Sequence, residues 1–448
     1  MLIRFSVENY LSFNKRQVFS MAAGKHTRHK SHLMVMNGKR ILKGAVVYGA
    51  NAAGKSNLIR AISFGKNIVL RGIRNIVTIN SHFRIDASAI NRPGVFQYDI
   101  VSNGHFYSYG FAISYTRNVF LSEWLFLCDD DREICIFERG ESEPFKTDIK
   151  FLKKENEQRF NIYAEDVSDD TSFLVEIAKR KLNDVEEFAP FFDILNWLLN
   201  LVIIFPQTKL RNYERVFASD MKNSMERLLK YFDTGIESVY GVKKTIDEIL
   251  EFLPDEVRSD IIHSIQEELS GDKVENKEVQ LSISGKRYSF KKEKAEIVAT
   301  QLMMDHGNSA DLFELKDESD GTKRLFDLIP VFERGKEGGV ILIDELDRSF
   351  HTKLTIEFIQ KFFEKTEGCA SQLIVTLHDA NVMDLNMLRQ DEIWFIERKN
   401  DRSSELYSLN RFKERFDRSI SKEYLLGRYG SIPCFNESFW NEEEADQI

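Results

Sequence analysis

The eight residues Gly49-Ala50-Asn51-Ala52-Ala53-Gly54-Lys55-Ser56 constrain what this chain can fold into more than any other feature of it. They fit the pattern G-x-x-x-x-G-K-[ST], in which a strand feeds a glycine-rich loop that opens a helix. The flanks agree: Ala45 to Tyr48 is a short apolar run, and Ser56 onward has helical spacing through about Val69. Glycine tolerates positive φ and close approach, so backbone N–H groups can wrap a phosphate. The pattern puts Lys55 on the β- and γ-phosphates of a nucleoside triphosphate and Ser56 on Mg²⁺. The candidate binding set is Gly49, Ala50, Asn51, Ala52, Ala53, Gly54, Lys55 and Ser56, with the adjoining Asn57. The implied ligands are ATP and Mg²⁺; the plain alternative is a Gly/Ala turn.

Three further segments have chemistry that suits such a loop. In Gly339-Val340-Ile341-Leu342-Ile343-Asp344-Glu345 a buried-strand pattern ends in two acids. Asp344 is placed on Mg²⁺, and Glu345 as the base that polarises an attacking water. Alone, two acids at a strand end are common on surfaces; after a phosphate loop in the same chain they point to the nucleotide. Glu318-Ser319-Asp320-Gly321-Thr322-Lys323-Arg324 precedes that strand. The Ser319 hydroxyl and Gly321 N–H can meet a γ-phosphate at the start of a helix over Thr322 to Leu328. An ordinary capped helix start explains the same residues. In Leu373-Ile374-Val375-Thr376-Leu377-His378-Asp379 a short strand delivers His378 to the end where ligands gather in α/β sheets. An imidazole there can sense a γ-phosphate, although strand-end histidines are often incidental.

Around these segments the 448 residues change character twice. Residues 1–164 alternate as strands: Leu2 to Val7 with Gln17 to Ala22 as its hairpin partner, then Phe96 to Ile113 and Phe120 to Phe126. Residues 165–274 have helical spacing over Thr171 to Leu182, Met221 to Phe232 and Thr245 to Leu269, broken at Pro254. Residues 275–448 open with a hairpin over Glu278 to Phe290, turning at Ser284-Gly285, then return to strand–helix alternation. The prediction is an α/β head of mixed sheet plus helices, interrupted by a mainly helical insertion.

The four segments, in this order, resemble the ABC-type ATPase head of the SMC/RecF class. Glu318 to Thr322 is similar to that class's signature motif, Asp347 falls at its D-loop and His378 at its switch histidine. More finely, the chain looks like the stand-alone ATPases of bacterial abortive-infection and anti-phage systems, related to the overcoming-lysogenization-defect proteins. That match rests on Gly49 to Asn57, on Glu318 to Thr322 with Arg324-Leu325 following, and on Tyr424-Leu425-Leu426-Gly427-Arg428-Tyr429-Gly430. It covers roughly residues 1–130 and 275–435. It implies ATP hydrolysis and pairing of two heads, each ATP touching Lys55 of one chain and Ser319 of the other, with Glu345 and His378 catalytic beside Lys55. The resulting homodimer or higher homo-oligomer would control a separate effector, a TOPRIM-type or HNH-type nuclease or another toxin. A RecF-like DNA-repair ATPase and a non-hydrolysing ATP-binding module remain alternatives. The chain departs from the class at Glu318, where Leu is usual, at Asp320 in place of glycine, and at Thr352 where proline is frequent. Neither Gln97 nor His82-Phe83 makes a convincing Q-loop.

Composition narrows the remaining choices. A net charge of −9 does not indicate a nucleic-acid coat, though it leaves nucleic acid open as a partner. No run approaches the roughly 20 apolar residues of a membrane span, and Met1 to Phe5 has no signal-peptide character, so a cytoplasmic protein is expected. Cys128, Cys135, Cys369 and Cys434 form no C-x-x-C pair and read as reduced thiols. His26, His29 and His32 lie among Lys25, Arg28 and Lys30 and read as a flexible basic loop rather than metal ligands. Trp197 to Phe205 is expected to bury within the helical insertion, and Glu442 to Glu444 to form a solvated tail. The length after His378 is short for a fused TOPRIM domain, so any nuclease is expected on another polypeptide.

Overall fold

The computed structural model describes residues 1–129, 132–141, 145–180, 182, 184–209, 219–270, 278–283, 286–293, 296–412 and 419–433. Cys434, the acidic tail around 442–446 and the turn at 284–285 lie outside the described residues. The chain divides into two compact units, one of residues 1–206, 335–347 and 351–448, the other of 207–334 and 348–350. Residues 165–274 fall partly in each.

The first unit opens with β1 (Leu2–Glu8), β2 (Gln17–Ser20), β3 (Leu33–Met36), β4 (Lys39–Leu42) and β5 (Gly44–Tyr48). The phosphate-loop helix α1 (Lys55–Arg71) follows, then the meander β6 (Gly94–Ser102), β7 (His105–Ser114), β8 (Val119–Asp129) and β9 (Arg132–Gly140). Three helices, α2 (Lys154–Asp166), α3 (Phe173–Ala178) and α4 (Ala189–Asn200), lead to β10 (Val202–Ile204). The meander pairs with the first hairpin into an antiparallel sheet of order β2-β1-β6-β7-β8-β9. Along β6 the period-2 pattern sends Phe96, Tyr98 and Ile100 into the core and leaves Gln97 and Asp99 on the other face. Gln97 there bonds Arg16, Asp99 and Ser108, all within this sheet and its first turn.

The second unit holds α5 (Ser219–Tyr231), β11 (Ser238–Thr245), α6 (Ile246–Leu250) and α7 (Asp255–Ser270). The break between α6 and α7 falls at Pro254, and Thr245 caps α6 in a capping box with Glu248. Strands β12 (Glu278–Ile283), β13 (Lys286–Glu293), β14 (Glu296–Asp305) and β15 (Phe313–Glu314) form an antiparallel sheet with β11, in the order β11-β14-β13-β12 with β15 on β14. Its small core joins Ile249, Leu250, Ile265, Val279, Phe290 and Ala299. Helix α8 (Asp320–Leu328) follows, and α9 (Pro330–Lys336) leads back into the first unit.

The return adds β16 (Gly339–Ile343), α10 (Thr352–Lys365), β17 (Ser371–Thr376), β18 (Ile393–Arg398), β19 (Ser404–Ser408) and α11 (Ile420–Leu425). These complete a sheet of order β10-β16-β17-β5-β18-β19, parallel except for the β18–β19 pair. Its central strands are covered on both faces, so β5 and β17 are buried at every residue. Ser371, Gln372 and Thr376 are the buried polar residues of β17, and Gln372 is the largest of them. Its amide bonds the backbone of Leu2 and the carbonyl of Leu42, so it is satisfied although fully buried.

Two sequence expectations change here. Trp197, Leu198 and Leu201 join the core of the first unit, where Trp197 stands edge-on to Tyr98 at 5.9 Å. The histidine segment is fixed rather than flexible. His32 is buried, stacks on Phe363 at 3.9 Å and bonds Glu392, and His29 reaches the Leu385 carbonyl. Arg389, fully buried, chelates Asp391 and donates to the carbonyls of His26 and Arg28. The histidines thus fasten residues 26–32 to the last third of the chain.

Candidate functional site

The parallel sheet brings three strand ends together. Its order sets β17 between β16 and β5, so the residues after β5, β16 and β17 emerge along one edge. The phosphate loop leaves β5 there. Gly49 has no room for a side chain, because a Cβ would lie 2.5 Å from the Ile396 carbonyl oxygen. Gly54, at φ +117°, caps α1, and a Cβ there would meet the hydroxyls of Ser404 at 2.4 Å and Ser12 at 2.8 Å. Ala52 also takes a positive φ of 60°. The first-turn amides of α1 have no intrahelical acceptor and carry the positive end of the helix dipole.

Lys55 is 5% exposed and curls back on the loop, Nζ donating to Gly49 O at 2.6 Å and Ala50 O at 3.3 Å. Burial lowers its pKa, and the carboxylates of Asp347, Glu345 and Asp344 oppose that shift. Ser56 Oγ donates to Asp344 Oδ1 at 3.1 Å, joining the helix start to the end of β16. Asp344 is 2% exposed and also takes the Thr376 hydroxyl on Oδ1 at 2.7 Å. The same Thr376 oxygen accepts the Glu345 N–H at 2.8 Å. Glu345 adopts φ +49°, a left-handed conformation costing about 1–2 kcal/mol for a residue with a side chain. The Thr376 bond holds it there, helped by Leu346 N–H on Thr376 O at 3.1 Å. His378 Nε2 stands 3.7 Å from Glu345 Oε1, both side chains partly open to solvent. Asp347 Oδ2 accepts the amides of His378 and Asp379, each at 2.7 Å, while its Oδ1 is buried with no hydrogen-bond partner.

The structure therefore brings Lys55, Ser56, Asp344, Glu345 and His378 to one place. Ser56 and Asp344 offer the hard oxygen donors that suit Mg²⁺, which prefers one or two carboxylates with phosphate oxygens. Ser319 and Gly321 belong to the second unit. There Ser319 caps α8, its hydroxyl accepting Thr322 N–H at 3.1 Å, and a Cβ on Gly321 would lie 2.8 Å from Ser349 O. Both readings of that segment, capped helix start and phosphate contact, use the same hydroxyl.

Three residues escaped the sequence reading. Thr376 was legible only as a hydroxyl at the end of an apolar strand. Ser12 and Ser404 lie far apart in sequence, yet Ser404 N–H bonds Ser12 O at 2.8 Å, Asn57 Nδ2 bonds Ser12 Oγ at 2.8 Å, and Ser404 Oγ donates to Ala53 O. The tail motif braces the strand behind the loop: Tyr424 and Tyr429 stack on Phe395 at 5.5 and 5.6 Å, and Tyr424 contacts Tyr48 at 6.0 Å.

A glycine-rich loop opening a helix, beside a parallel strand that ends in Asp-Glu, defines an α/β P-loop ATPase head. The chain belongs to the family described as AAA domain, putative AbiEii toxin, Type IV TA system, which it matches over residues 45–384. Solved structures similar to it include an Smc head bound to the C-terminal winged-helix domain of ScpA, at 13% identity and TM-score 0.42, covering 91% of this chain and 97% of that one. Others are the SMC head domain from Thermotoga maritima, at 12% identity and TM-score 0.33 over 91% and 98%, and a Pyrococcus furiosus Smc head with an extended coiled coil bound to the C-terminal domain of ScpA, at 12% and 0.35 over 96% and 98%. Comparison with curated proteins finds no sequence match. No helix among the described residues is long and apolar enough to cross a membrane.

Proposed function

We propose that this chain hydrolyses ATP as an ABC-type head, and that two copies pair over the nucleotide to control a separate effector in defence against phage. The observation that supports the hydrolytic reading is the Asp344–Thr376–Glu345 hydrogen-bond chain, in which one hydroxyl ties the Asp344 carboxylate to the backbone N–H of Glu345. On substrate binding the loop amides and Lys55 take the phosphates, Lys55 exchanging the carbonyls of Gly49 and Ala50 for phosphate oxygens. Ser56 and Asp344 would hold Mg²⁺, which when bound would supply positive charge against the triphosphate. Glu345 accepts a proton from the attacking water, and His378 orients Glu345 and the terminal phosphate. Ser319 and Gly321 of a second copy complete the site. The family description, with its putative toxin and toxin–antitoxin system, supports the defence reading.

The test is phosphate release by the purified chain. Glu345→Gln should lower turnover by about 10²–10⁴-fold, the range for removing a general base, while nucleotide stays bound. Unchanged turnover would defeat the assignment. For the defence role, cells carrying the chain and its neighbouring gene should lose phage protection when that neighbour is deleted; unaltered protection removes the effector.

A further inference from the structure

In the second unit, the residue that opens the signature-like segment is held by a hydrogen-bonding histidine. Glu318 lies immediately before Ser319 and is 9% exposed, and its Oε1 is 2.7 Å from His306 Nε2. His306 follows β14, and its ring stands edge-on to Phe313 of β15 at 4.9 Å. Its position is fixed by the reversal after it: Gly307 takes φ +96° and its N–H bonds Asp305 Oδ1 at 2.7 Å. Glu318 is equally fixed, its N–H on Leu315 O closing the short turn that precedes α8.

The placement matters because of what the segment would meet. A carboxylate beside the Ser319 cap repels a triphosphate approaching the helix start, where the dipole otherwise favours an anion. We propose that His306 is a positioning residue that draws the Glu318 carboxylate onto the β14–β15 turn and holds it there by a hydrogen bond, so that Ser319 and the α8 amides can receive the γ-phosphate of a second copy. This rests on the pairing over ATP proposed above. His306 touches no substrate and acts through Glu318 alone.

The test is a double-mutant cycle in a Glu345→Gln background, chosen to trap ATP. Two quantities are read for each variant: nucleotide affinity of the isolated chain by fluorescent-ATP titration, and ATP-dependent association by sedimentation velocity. His306→Ala strips the partner from a desolvated carboxylate and should weaken ATP-dependent association about tenfold or more, with nucleotide affinity of the single chain unchanged. His306→Ala combined with Glu318→Leu removes the stranded charge and should restore association. His306→Gln, which keeps a side-chain donor on a different frame, should fall between. A merely structural histidine predicts that the double variant is as poor as the single one, and that result overturns the proposal, as does normal association of His306→Ala. If the parent chain itself fails to associate with ATP, the pairing reading falls first and this inference with it.

Discussion

Replacing Thr376 by valine isolates what one buried hydroxyl does for the Asp344 carboxylate and the Glu345 backbone. The side chain is fully buried, donates to Asp344 Oδ1 at 2.7 Å and accepts from Glu345 N at 2.8 Å. Valine keeps the shape. It deletes a hydrogen bond to a charged group, worth about 1.5–3 kcal/mol, and removes the acceptor of a part-buried amide, worth about 1 kcal/mol. The added methyl returns roughly 0.8 kcal/mol. The net expectation is a loss of about 2–3 kcal/mol, readable as a lower urea midpoint. Turnover should fall further than stability alone explains, because Glu345 then has less to hold it at φ +49°. Relaxation by about 1.4 kcal/mol from the active arrangement lowers the rate tenfold. Thr376→Ser retains the hydroxyl and should keep most of both. Phosphate release and urea unfolding on the three proteins decide the matter. A Thr376→Val protein with wild-type midpoint and wild-type turnover would refute the reasoning.

Other substitutions probe different parts of the molecule. Gly54→Ala puts a Cβ 2.4 Å from Ser404 Oγ at φ +117° and should abolish nucleotide binding, measured by equilibrium titration, with a stability loss of about 1–3 kcal/mol. Arg139→Leu leaves Glu123, 0% exposed and bonded also by Tyr109, Ser172 and Phe173 N–H, without its counter-charge; about 3–5 kcal/mol should be lost in thermal or chemical unfolding. Glu314 is desolvated by burial, yet bonds from Lys286 and Lys316 outweigh this and hold its pKa at about 2 instead of 4.5. A depressed folded pKa means that its contribution is present above the unfolded value and disappears as pH falls from about 4.5 towards 2. Glu314→Gln should therefore flatten the acid limb of the stability curve in that window, followed by circular dichroism.

Much of the candidate site is legible in the sequence because its signals are local. Gly49 to Ser56 carries its own backbone requirements, and Val340 to Glu345 and Leu373 to His378 are strands whose apolar runs stop where polar chemistry starts. What stayed illegible depends on partners distant in sequence. His32 reads as one basic-loop histidine among three until Glu392 and Phe363 are beside it. Ser12 and Ser404 show no pattern, since each matters only through the other and the loop between them. Trp197 to Leu201 has the apolar content of any buried helix, and periodicity says that a face is covered, not by which core. β10 is three residues long, too short for a periodic signal, yet it pairs with the Asp344 strand.

The strand order of the parallel sheet also bears on how the protein is made. β5 is synthesised well before its two neighbours, β17 and β18, which are residues 371–376 and 393–398. Until both have left the ribosome, β5 has at least one open edge, and the loop after it lacks Ile396 and, earlier still, Asp344 and Thr376 to set its shape. Long-range parallel pairing of this kind is slow, and unpaired edges invite misassembly. A nascent chain that stops short of these strands would thus carry the whole glycine-rich motif and still be unable to grip a nucleotide, making ATP binding itself a report that β17 and β18 have been made and paired.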